Sequence, residues 1–258
     1  MILDADLSAL EWRVAAELCR DPVMIQEIED SVDIHTANAI SIFGDKKFRQ
    51  EAKTVSFRLL YGGSAYAFFM DHRMPSFTQK KWDKIVEDFY KKYKRLKQWQ
   101  DSNYSLVCKQ GWYEAFTGRR WVFSKVKQSN GSFMYSRPSV CNYIVQGVST
   151  GDIVPLCMVT LNNRLKKLGL SDAKIINQVH DSIVLDVPKK YVDIVASTCY
   201  NVFIAYKNKN KSNAFIPTLF WMGAGKTKIC KNQKGNCLGR IYGWIHHTIF
   251  ARTIPCND

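Results

Sequence analysis

The chain has 258 residues, with 37 Lys and Arg against 23 Asp and Glu, a formal net charge of +14, 46% apolar residues and 13% aromatic ones. That composition supports a packed core and excludes a disordered chain. No uninterrupted apolar run approaches the ~18 residues of a membrane-spanning helix, and the acidic start MILDADLSALEW lacks the basic opening of a secretory signal.

A basic surplus of this size points to a polyanion, with nucleic acid ahead of an anionic membrane surface, and no membrane partner is expected. The cysteines at 19, 108, 141, 157, 199, 230, 237 and 256 show no CxxC spacing and read as reduced thiols. In chain order, residues 2–7 read as a strand and 8–19 as a helix, with Leu10, Val14 and Leu18 at helical spacing. A helix follows from about Asp33 to Phe43, then a break at FGDKK, then a strongly helical stretch over 47–60 that Tyr61-Gly62-Gly63-Ser64 ends. One amphipathic pattern runs from Thr78 to about Val107 through Trp82, Ile85, Phe89, Tyr93, Leu96 and Trp99. Residues 111–123 read as a hairpin with a basic Gly turn. Residues 139–168 read as helix, 174–179 and 183–187 as strands flanking His180-Asp181-Ser182, and 191–206 as helix. From Lys207 the pattern loses its periodicity.

Two groups of residues carry chemistry. Arg49, Lys53, Phe57 and Tyr61 are spaced four apart and lie along one slowly drifting helix stripe. Two cations suit the phosphates of a nucleotide, and two rings suit its sugar and base. Alternatively, the rings are core and the cations are solvated. Asp6 ends the first strand-like run, and Asp181 sits where a tight turn would fit. Carboxylates from two such elements could hold a pair of Mg²⁺ ions about 4 Å apart. Either Asp alone reads equally as a turn or cap residue.

In this order, DLSALEWR (6–13), R-x3-K-x3-F-x3-YG (49–62) and QVHDS (178–182) resemble motifs A, B and C of the family A DNA polymerases, most closely the phage-type members. DIH (33–35), TGRR (117–120) and N-x3-Q-G (142–147) also fall where that family places them, and the resemblance covers about residues 2–200. It implies a mixed α/β (α+β) fold: a palm on an antiparallel sheet and a helical fingers insertion, with thumb and exonuclease absent. The implied divisions are 1–32 and 124–222 for the palm, 33–123 for the fingers with the motif B helix at 47–61, and 223–258 for an unassigned basic tail. The implied activity is template-directed addition of deoxynucleoside triphosphates to a primer, in phage replication within the host cytoplasm.

The resemblance also implies roles. Asp6 and Asp181, with the backbone carbonyl of Leu7, would hold two Mg²⁺ ions. One ion activates the primer 3′-hydroxyl, and the other clamps the triphosphate and the departing pyrophosphate. Arg49, Lys53 and His35 would bind the triphosphate tail, and Lys53 would protonate the leaving group. Phe57 would lie beside the sugar and Tyr61 near the new base pair. Asn142, Gln146, His180, Arg119 and Arg120 would line the primer–template. Asp4 reads as a neighbouring turn or strand residue, because D-x-S-x-x-E-x-R selects Asp6.

Ser182 departs from the Glu more usual in the DNA enzymes, and single-subunit RNA polymerases often carry HDS. Glu11 points back to DNA, since in the DNA enzymes this Glu fills the space of a 2′-hydroxyl; Phe57 is also typical of them. A catalytically inactive DNA-binding fragment is the reading from another class. Because the chain starts at motif A, a thumb and exonuclease portion is expected to be missing or separately encoded, and the isolated chain to be weakly active. GAGKT (223–227) is not a phosphate loop, because the first Gly of that motif would fall on Phe220. Cys230, Cys237, His246, His247 and Cys256 fit no standard zinc spacing.

Overall fold

The computed structural model describes residues 1–128, 130–208 and 227–229. Strand β1 (Ile2–Asp6) leads into helix α1 (Leu10–Cys19), followed by α2 (Pro22–Glu29) and α3 (Ile34–Phe43). A 3₁₀ turn at Lys46–Phe48 precedes α4 (Arg49–Leu60), α5 (Ala65–Phe69), α6 (Gln79–Lys92) and α7 (Lys94–Gln110). Two small hairpins follow, β2 (Trp112–Glu114) with β3 (Arg120–Val122) and β4 (Val126–Lys127) with β5 (Phe133–Met134). Then come α8 (Arg137–Val148), a π-helical turn at Ser149–Ile153, α9 (Val154–Lys167), β6 (Lys174–Val179), β7 (Ser182–Asp186), α10 (Val192–Asn208) and β8 (Thr227–Ile229).

The chain divides into two compact units, Met1–Arg13 with Ser149–Asp258, and Val14–Val148. The first is built on an antiparallel sheet of order β6-β7-β1-β8. On one face of β1 and just past its end, Leu3, Ala5 and Leu7 are at most 1% exposed. Helices α9 and α10 pack on this sheet, with Val154, Cys157, Leu161, Val195, Cys199 and Val202 buried. Within the unassigned tail, β8 pairs with β1 in the register Leu3↔Ile229. The tail cysteines and histidines and the segment 209–226 lie outside the described residues.

The second unit is mainly helical, around Met24, Val55, Leu59, Phe68, Trp82, Tyr93 and Leu96. Three elements differ from those expected from sequence, two in this unit and one at its end. The pattern over 78–107 is two helices, broken at Tyr93 (φ −106°, ψ 65°). The cause is long-range. Buried Asp21 caps α2 by accepting from Val23 N (3.0 Å) and Met24 N (3.2 Å), while its other oxygen accepts from Arg95 N (2.9 Å) and Leu96 N (3.4 Å). One carboxylate therefore starts two helices. Secondly, α2 carried its own signals, an Asp cap and Pro22 in its first turn, which apolar periodicity alone does not register. Thirdly, the helical run over 139–168 is interrupted by the π turn, with Gly151 inside it and Pro155 just after, where a missing N–H loosens the ladder.

The run Arg137–Lys167 is long and apolar enough, by length and composition, to cross a membrane. Counting uninterrupted apolar residues passes over it because Asn142, Gln146, Thr150 and Asp152 intervene. Many of its apolar side chains are buried in the cores, among them Val140, Cys141, Ile144 and Val145 in one unit and Val154, Cys157, Leu161 and Leu165 in the other.

Candidate active site

In the sheet unit, Asp6 is the last residue of β1 and faces Ser182 across the β1–β7 ladder. Strands β6 and β7 join through a two-residue turn, His180-Asp181, because Val179 pairs with Ser182. His180 takes a positive φ of 53°, a strained setting for a non-glycine residue that lets the chain reverse so tightly. Gln178 braces the turn, its Nε2 donating to the carbonyls of Thr150 (3.0 Å) and His180 (3.1 Å). Leu7 N donates to the carbonyl of Asp181 at 3.1 Å, so the residue after one carboxylate is tied to the backbone of the other. Asp6, Leu7, His180 and Asp181 are thus brought together at one end of the sheet. Glu11 stands half-buried in the first turn of α1. Asp4 is a strand residue, 7% exposed, on the same face of β1 as Asp6.

Two carboxylates and a backbone carbonyl make an all-oxygen donor set. Among the described residues no group of three or more His, Cys, Asp or Glu forms a protein-only metal cage. A donor set of oxygens alone suits Mg²⁺, which takes one or two carboxylates and completes its shell with water and substrate phosphate.

In the helical unit, the stripe is real and it is the outer face of α4. Arg49 and Lys53 are exposed and Phe57 and Tyr61 half-buried, while Ala52, Val55, Ser56, Leu59 and Leu60 form the buried face. Tyr61 ends the helix, its N–H donating to Phe57 O at 3.1 Å. Lys53 Nζ lies 5.8 Å from the Phe57 ring centre, and the Phe57 ring is 6.3 Å from that of Tyr61 and 5.6 Å from that of His35. His35, in the first turn of α3, therefore joins the stripe. Burial, then the neighbouring Arg49 and Lys53 cations, hold its imidazole down at about 4, so it is neutral at neutral pH.

Sequence reasoning missed the residues that set this geometry. Asp33 caps α3 through Thr36 N (3.3 Å) and Thr36 Oγ1 (2.9 Å) and also receives Arg49 Nε (3.0 Å) and Nη2 (3.2 Å). Burial pushes its carboxyl up, but the bonds from Arg49 and Thr36 outweigh this and bring it to about 2. Asn38 Nδ2 donates to Ser56 Oγ at 2.9 Å, and that hydroxyl donates to Ala52 O at 2.7 Å, a buried link between α3 and α4. The D-x-H spacing and a polar pair in two apolar faces were the only sequence signals for them.

Asn142 and Gln146 share one half-buried face of α8. Arg119 and Arg120 are exposed at the β2–β3 turn; Arg120 pairs with Glu114 and lies 4.7 Å over the Trp112 ring. A separate cavity of about 420 Å³ beside Gly62, Ser64, Tyr90, Lys97 and Arg137 holds two cations. Both engage Asp101, at 2.7 and 2.6 Å.

A family model described as DNA polymerase family A matches residues 1–226. Relatives include DNA polymerase I of Caldicellulosiruptor bescii, 28% identical over 76% of this chain and 23% of its own length. The thermostable DNA polymerase I of Thermus filiformis is 31% identical over 73% of this chain and 23% of its own. The chain thus spans about a quarter of the length of these relatives. Among solved structures, the POL domain of Pol1 from M. smegmatis, in complex with DNA primer-template and dNTP, superposes with a TM-score of 0.67. It covers 78% of this chain and 36% of that one at 22% identity, a likeness of fold. Matched over nearly all of its described length, the chain belongs to DNA polymerase family A.

Proposed function

We propose that the chain carries the nucleotidyl-transfer chemistry of a DNA-directed DNA polymerase, adding deoxynucleoside triphosphates to a primer 3′ end. The observation that supports this best is the adjacency of Asp6 and Asp181, fixed by the β1–β7 register and the Leu7–Asp181 backbone bond. Asp6, Asp181 and the Leu7 carbonyl would hold two Mg²⁺ ions, which when bound would acidify the primer hydroxyl and stabilise the departing pyrophosphate. Arg49, Lys53 and His35 bind the triphosphate, and Lys53 Nζ gives a proton to the leaving group. Phe57 contacts the sugar and Tyr61 the base. Asn142, Gln146, His180, Arg119 and Arg120 hold primer–template, whose phosphates also answer the +14 charge. Glu11 favours deoxyribose over ribose and sets aside the RNA polymerase reading. Phage replication in a host cytoplasm rests on the motif likeness alone; the relatives named above are bacterial.

Extension of a primed template tests this. The chain should add nucleotide in Mg²⁺, and Asp181→Ala should cut the rate by about 10²–10³-fold with DNA binding retained. Extension indifferent to that substitution, or to chelation of the metal, would contradict the reading; DNA binding without any extension would favour an inactive fragment.

A further inference from the structure

Arg49, which the reading above assigns to the triphosphate, does not hold its own position. Its fork is gripped on one edge by Asp33, through Nε to Oδ2 at 3.0 Å and Nη2 to Oδ1 at 3.2 Å. Asp33 is itself fixed, because both of its oxygens accept from Thr36 at the start of α3. The pair is about half exposed on both sides, so it adds little stability. What it does is geometric. Two bonds to a planar guanidinium fix the plane and direction of the N–H groups on its other edge. The same carboxylate orders the first turn of α3, where His35 stands 5.6 Å from the Phe57 ring. One side chain thereby sets two members of the stripe that come from different helices.

We propose that Asp33 is a positioning residue for nucleotide binding: it presents the Arg49 fork and the His35 ring to the triphosphate tail. This rests on the triphosphate role given to the stripe. The proposal has a counter-intuitive sign. Asp33 is an anion beside the site of a polyanion, so charge alone predicts that neutralising it tightens binding. Positioning predicts the reverse.

The test measures binding of deoxyadenosine triphosphate, and separately of inorganic tripolyphosphate, to the full chain by titration calorimetry in Mg²⁺. Asp33→Ser keeps a good helix cap and removes the grip, and Asp33→Asn keeps the cap and removes the charge. Both should leave the thermal midpoint close to wild type and weaken each ligand about tenfold. In an Arg49→Ala background, Asp33→Ser should have little further effect, since there is no fork left to aim. Unchanged or tighter binding in either Asp33 variant overturns the proposal, as does an equal loss whether or not Arg49 is present. Wild-type chain that binds neither ligand refutes the triphosphate role of the stripe and this inference with it. Wild-type binding with indifferent Asp33 variants refutes the inference alone.

Discussion

Asp181 occupies one half of a two-residue turn, and Asp6 the end of the strand beside it. Strand register and a tight turn fix the backbone from which both side chains start, which suits metal ligands. Glu11 works differently. Its proposed role is to fill the space of a 2′-hydroxyl, so Glu11→Ala should raise ribonucleotide incorporation relative to deoxyribonucleotide by about 10²-fold, read by primer extension with each sugar. Unchanged sugar preference would contradict that role. His35 offers a test by pH. Its folded value, about 4, lies below the ordinary 6.5, so folding favours the neutral ring. The group's contribution to stability is whole above pH 6.5 and declines as pH falls from there towards 4. A bound triphosphate favours the charged ring and should raise the value, so this ring's contribution to affinity should increase as pH falls through the bound value towards 4. An NMR titration should show a midpoint near 4 in the free chain and a higher one with ligand; a free midpoint near 6.5 would mean the ring is solvated and away from Arg49 and Lys53. The motif residues were legible in sequence because their chemistry is carried by residue type and spacing. The pairing of Asp33 with Arg49 was not, since the two lie on different helices and only folding brings them together.

At the scale of elements, local signals and tertiary ones divide cleanly. Strand β1, helix α4 and the β6–β7 hairpin follow from alternation, helical spacing and a turn, and the sequence reading found each of them. The break at Tyr93 does not follow from local sequence, because the carboxylate that starts α7 sits at Asp21, in a distant stretch of chain. Asp21→Ala should therefore unsettle two helices at once. It removes the cap of α2 and leaves Arg95 N and Leu96 N short of an acceptor, at a cost of about 2–4 kcal/mol. Urea unfolding would measure this. A loss under about 0.5 kcal/mol would show that water or a neighbouring carbonyl replaces the carboxylate. The bulk of Trp121 makes a comparable demand on α8: a methyl group at Gly147 would overlap its indole ring, so only glycine fits there without displacing the ring.

Across the whole molecule, the proposed metal ligands and the proposed nucleotide stripe belong to different compact units. One is a sheet with Asp6 and Asp181 at one end, and the other a helical body with Arg49, Lys53, Phe57 and Tyr61 along α4. The chain crosses between them twice, after Arg13 and after Val148. The pairing of β8 with β1 extends the sheet with residues that have no motif of their own. That pairing was illegible in sequence, because a three-residue strand in an aperiodic tail gives no pattern to read.

The account depends most on the two carboxylates acting as one metal-holding pair. Manganese titration of the full chain, followed by the EPR signal of the free ion, tests this directly. Asp6→Asn and Asp181→Asn should each abolish the bound fraction, and the double variant should lose no more than either single one. Manganese binding that survives both substitutions, or losses that simply add, would contradict it.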